Sequence, residues 1–128
     1  MLDNVLIREF EQKDFQQSIV LCETAKERFP ISKVKYAVVA EEEERIVGFT
    51  TLTELQTIEP LAVDKSLNIT KQILVRIEML KLINDYAKQR GMNELFFFTN
   101  DENLVKMLSK KYKIEPYSKE KLYIAKTR

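Results

Sequence analysis

The stretch IEPLAVDKSLNITKQILVRI, residues 58–77, holds the residues of this chain best suited to chemistry on a charged ligand. An apolar run passes through a short polar loop into a segment of helical periodicity. At such a junction the first N–H groups of the helix have no partner and point outward, which favours anions. Thr70 and Lys71 stand where a hydroxyl and a cation would add to that field. Loops that hold phosphate usually use glycine for close backbone approach, and residues 58–77 contain none. The chain has no histidine and one cysteine, Cys22. Imidazole-assisted nucleophiles are therefore excluded, and a structural zinc site nearly so. Any chemistry falls to carboxylates, tyrosines, lysines and backbone groups, with no metal expected.

The elements around this junction follow from periodicity. VLIRE, residues 5–9, predicts a strand, and a helix opens near Asp14, where a carboxylate suits the positive helix end. Phe15, Ile19, Cys22, Ala25 and Phe29 recur at helical spacing until Pro30. KYAVVAEE and RIVGFTTLTEL predict an antiparallel hairpin with a tight acidic turn at Glu43 and Glu44. TIEPLAV is a further strand in which Pro60, lacking an N–H, implies a bulge or a gap in the ladder. A long helix is expected from about Lys71 to Arg90, ended by Gly91. Ile73, Ile77, Leu80, Ile83 and Ala87 form one apolar stripe on it. Val75, Met79, Leu82 and Tyr86 form a second, on nearly the opposite side. ELFFFT, ENLVKMLSKKY and KLYIAK then predict strand, helix and strand. The order β-α-β-β-β-α-β-α-β implies one α/β (α+β) domain over residues 1–128, with a mixed, mostly antiparallel sheet and helices on both faces.

The totals fit a single globular domain. Hydrophobic residues make up 45%, charged residues 32%, and the formal net charge is +1. That balance argues against a broad nucleic-acid footprint. Residues 101–128 carry eight basic and four acidic residues, a local +4 that includes Lys110, Lys111 and Lys113. Lysines at a helix C-terminus are also favourable local electrostatics. No apolar run approaches the roughly 20 residues of a membrane-spanning helix. A cytoplasmic setting is expected.

The element order, with LIREFEQKDFQQSIVLC, ERIVGF, IEPLAVDKSL and NELFFFTNDENLVKMLSKKYKI, resembles the GNAT superfamily of acetyl-CoA-dependent N-acetyltransferases. The likeness covers nearly the whole chain. It implies that the fourth strand splays from the fifth, and that backbone groups of Leu61 and Val63 pair with the pantetheine arm. It implies that the diphosphate meets residues 68–73, so that Asn68, Thr70 and Lys71 are cofactor contacts. Asn100 and Asn103 match the family's asparagine-bearing turn, which is also explained by helix capping alone. Glu59 is the implied general base. Ser109 falls where the family has its acid, a tyrosine, and Tyr112 lies three residues further on.

The departures from the family pattern weigh the other way. Every small position of the diphosphate loop is large or branched here, with isoleucine at 69 and 73. The segment PISKVKY is short where active relatives carry a further helix. These features imply a degraded site with no bound cofactor and a structural or assembly role, with acetyl-CoA as cofactor if the chain is catalytic. Val75, Met79, Leu82 and Tyr86 are then the expected contact for a protein partner or a second copy. The C-terminal half, chiefly NDENLVKMLSKKYKIEPYSKEKLYIAK, also resembles small internal or head virion proteins of short-tailed phages. That likeness implies a virion setting.

Overall fold

The computed structural model describes residues 2–28, 33–99, 101–116 and 122–126. Strand β1 (Val5–Glu9) leads through one 3-10 turn into α1 (Phe15–Thr24). Strands β2 (Val34–Glu42), β3 (Arg45–Thr53) and β4 (Thr57–Val63) precede the long helix α2 (Ile69–Gln89). Strand β5 (Glu94–Phe98), α3 (Glu102–Ser109), β6 (Lys113–Pro116) and β7 (Leu122–Lys126) complete the chain. The sheet runs β1-β2-β3-β4-β5-β7-β6, antiparallel at every pair except β4 with β5. One strand exceeds the expected order. KIEP is too short and too polar to announce β6, which exists because β7 supplies its ladder.

The turn between β2 and β3 places Glu43 and Glu44 at φ of 50° and 65°. Two consecutive left-handed residues match the twist of a tight hairpin. Helix α1 covers one face of the sheet, with Leu21, Cys22 and Ala25 against Val39, Ile46, Phe49 and Ala62. Helix α2 covers the other, with Val75, Met79, Leu80, Ile83 and Ala87 packed with Val38, Ala40, Val47, Leu52 and Val63. Leu104 and Leu108 bring α3 into the same cluster. Fully burying a side chain such as Met79 or Ile83 is worth about 2 kcal/mol.

This packing corrects the expected contact face. Val75 and Met79 are fully buried beneath the sheet, so they offer no exposed surface for a contact. Gly48 is the reason, since a Cβ there would lie 2.9 Å from Val75 Cγ1 and 3.0 Å from Met79 Sδ. The bare backbone lets α2 settle onto β3. Leu82 and Tyr86 are half-buried. The Tyr86 ring stacks on Tyr36 at 4.0 Å, with the Arg90 guanidinium 4.1 Å over it. The sheet and α3 thus use the width of the apolar arc.

A second anchor lies at the start of the chain. Arg8 donates to both oxygens of Asp14, at 2.8 and 2.9 Å, and to Glu41. Asp14 also accepts the Glu11 N–H. The guanidinium of Arg8 foremost, against the cost of burial, holds the buried Asp14 carboxyl below its ordinary value.

Two outcomes follow from these contacts. Gly48→Ala is expected to lower stability by about 2 kcal/mol in urea unfolding. The loss should be smaller in a Val75→Ala background, where the closest atom is gone. Asp14→Asn should cost about 3 kcal/mol near neutral pH by leaving Arg8 underpaired. Because the folded carboxyl titrates below the unfolded one, the wild-type advantage is complete above about pH 5. It should vanish as pH falls through the depressed folded value, so acid titration of both chains checks it.

Candidate ligand cleft at the split of β4 and β5

Strands β4 and β5 pair only at Thr57↔Phe96 and Ile58↔Phe97. Beyond Ile58, β4 stays with β3 and leaves β5. The β3 partners pass from Leu52↔Ile58 to Thr50↔Leu61, so Glu59 and Pro60 bulge opposite Thr51, as the proline implied. The Thr51 hydroxyl donates to the Glu59 carbonyl and ties the bulge to β3. From Glu59 to Val63 the edge of β4 that faces β5 carries no strand among the described residues.

The gap is a cleft of about 560 Å³. Leu61 of β4, Lys65 of the following loop and Ile69, Gln72, Ile73 and Arg76 of α2 form one side. Phe98 and Thr99 at the end of β5, with Asp101 at the start of α3, form the other, and Glu27 faces it from the end of α1. Ile69 and Phe98, 71% and 54% exposed, give the opening an apolar rim.

The helix start differs from its expected position. Asn68 is the cap, its side chain accepting the Lys71 N–H at 2.8 Å, and α2 begins at Ile69. Residues 69–73 are therefore the first turn of a helix and not an extended loop. No described residue between 64 and 73 has positive φ, so the isoleucines occupy ordinary helical backbone. The N–H groups of Ile69 and Thr70 have no protein partner among the described residues. These two donors sit at the positive end of a 21-residue helix whose first residue, Ile69, lines the cleft.

The expected site residues divide accordingly. Leu61 lines the cleft and Val63 is buried opposite Gly48. Asn68 is spent on the cap, and Thr70 is exposed off the cleft wall. Lys71 pairs with Glu42, while Arg45 bridges Glu42 and Asp64, so its charge serves the β2–β3 hairpin. Asn103 gives its N–H to Asp101, which is the cap of α3. Asn100 lies outside the described residues, as do residues 29–32 of the short connection before β2. Glu59 is half-buried in the bulge and does not line the cleft. Tyr112 sits in a separate apolar niche with Leu80, Leu108 and Ile114. Burial foremost, then Asp85 and Glu78, pushes its hydroxyl up, so it stays protonated.

Sequence reasoning passed over Arg76. It precedes Leu80, Ile83 and Ala87 by one helical face, the spacing of the buried stripe. A cation in register with core positions was the available signal. Where the sheet is closed that face buries apolar side chains, and where β4 and β5 part it presents Arg76 to the cleft. Burial presses the guanidinium below its ordinary value, against the pull of Asp101 and Glu27. Among the described residues no group of acids or thiols could hold a metal ion, and no helix is long and apolar enough to cross a membrane.

The chain superposes on the PaiA N-acetyltransferase of Thermoplasma acidophilum in complex with coenzyme A, with a TM-score of 0.70 over 98% of this chain and 100% of that one. This is the GNAT fold. The match to the GNAT family N-acetyltransferase YhbS of Escherichia coli in complex with CoA has a TM-score of 0.67, covering 98% and 82% of the two chains. Naa50 of Arabidopsis thaliana, in complex with a bisubstrate CoA analogue, matches at 0.62 over 96% and 97%. The identities are 12%, 15% and 16%, so the GNAT architecture is shared while the side chains have diverged. No family model matches the sequence, and no curated protein matches it.

Cys22 is not poised as a nucleophile in this fold. It is buried on the face of α1 that packs on the sheet, and burial foremost, with Glu27 and Glu23, pushes its thiol up to about 11. Iodoacetamide at pH 8 is expected to leave native Cys22 unlabelled and to modify it fully in urea.

Proposed function

We propose that this protein is a GNAT-fold module that binds an acyl-CoA-type ligand between β4 and β5 and lacks the acid–base pair for efficient transfer. The observation that carries this reading is the cleft itself, open along the unpaired edge of β4 and ending at the unpartnered N–H groups of α2. The residues present fit such a ligand. The free edge between Glu59 and Val63 can pair with the amides of a pantetheine arm, and the apolar rim suits a planar base. When bound, CoA supplies an activated thioester. The chain's own part is to hold the arm extended and to keep one side of it dry.

Transfer asks for more. A base must take a proton from the amine, and an acid must return one to the leaving thiolate. Ser109 is exposed at the end of α3, and Tyr112 is turned into the core niche. Glu59 begins the free edge in the bulge but is not among the residues that line the cleft. Binding without rapid turnover is the behaviour these positions support. An assembly role through α2 loses its support, because Val75 and Met79 are covered by the sheet.

Isothermal calorimetry with CoA tests the reading. Micromolar binding is expected, weakened about tenfold or more by Ile69→Glu, which sets an anion at the helix start. Absence of binding at millimolar CoA would overturn it. Acetyl transfer to amines should be slow and insensitive to Glu59→Gln and Tyr112→Phe, whereas fast turnover abolished by either change would restore the enzyme.

A further inference from the structure

We infer that Arg76, two turns inside α2, is the residue that pairs with the ligand's phosphate groups, and that it does here what a glycine-rich loop would otherwise do. The inference rests on the ligand reading above. The Arg76 side chain is 16% exposed, so its charge is largely withdrawn from water. Its nearest acid is Asp101, with Nη1 to Oδ2 at 3.9 Å, too far for a hydrogen bond. The other oxygen of Asp101 is committed to the N–H groups of Asn103 and Leu104. Among the described residues the five N–H donors of the guanidinium thus have no hydrogen-bond acceptor. Its open donors remain available to a ligand that enters the cleft, and its planar fork matches phosphate oxygens two at a time.

Position adds to the argument. Arg76 shares the cleft wall with Lys65, and the unpartnered Ile69 and Thr70 amides lie at the start of the same helix. Lys71, the cation that the sequence offered for this task, is held by Glu42. Glu27 and Asp101 oppose an anion there, so the affinity for phosphate is tuned by two acids as well as set by one arginine. The ligand class is a phosphorylated pantetheine carrier, in which the phosphate decides and the thiol end does not.

Calorimetry with CoA and with pantetheine, which carries no phosphate, tests this on the intact chain. The wild type should bind CoA far more tightly than pantetheine. Arg76→Gln should weaken CoA roughly tenfold or more and leave pantetheine unchanged. Glu27→Gln should tighten CoA several-fold by removing a like charge. Arg76→Lys, which keeps the charge and loses the fork, should fall between, and it carries the test if Arg76→Gln does not fold. Wild-type CoA binding that Arg76→Gln and Arg76→Lys leave intact would overturn this inference alone, as would equal affinity for CoA and pantetheine. A wild type that binds neither would overturn both this inference and the ligand reading.

Discussion

Two residues of parallel pairing, Thr57 and Ile58 against Phe96 and Phe97, join the two halves of this sheet, and the cleft exists because the pairing stops there. A strand edge cannot satisfy two neighbours that diverge. Once Thr51 and the bulge at Glu59 and Pro60 commit β4 to β3, its other edge is left with main-chain groups and no strand to meet them. Such an edge is the recognised way for an extended ligand to add itself to a sheet. The cleft is therefore a consequence of strand geometry before it is a matter of side chains.

Helix α2 converts that gap into a polar site. Gly48 allows the helix to approach β3 closely, which fixes where its first turn lies. The ion pairs Lys71–Glu42 and Arg45–Asp64 then tie the helix start and the end of β4 to the β2–β3 hairpin. Gln72 adds a side-chain bond to the Leu67 carbonyl at 2.7 Å, closing the connecting loop. These partly exposed pairs add little stability each, but they settle which cations remain for a ligand. Lys71 is held by a close ion pair, whereas Arg76 has only the looser one to Asp101 at 3.9 Å.

Much of the architecture was legible in the sequence. The hairpin at Glu43 and Glu44, the bulge at Pro60 and the sheet with helices on both faces follow from alternation, turn chemistry and proline's missing N–H. The junction of β4 and α2 was legible in place, and the lining of the cleft beside it was not. The sequence put Ile69 and Ile73 in a loop where small residues are usual, whereas Asn68 capping starts the helix at Ile69 and sets both on ordinary helical backbone. The apolar arc of α2 looked too wide for one sheet because α3 also packs on it, a contact between segments distant in sequence.

The sequence by itself determined the elements, their order and the chemistry that is missing, since periodicity, capping and the absence of histidine are local properties of the chain. Tertiary structure alone decided which charges are free. Whether Lys71, Arg76, Asp101 or Tyr112 faces a ligand depends on which acids and apolar surfaces the folded chain brings beside each one. Ion pairing and burial are pairwise over long separations, and no window along the sequence contains both partners.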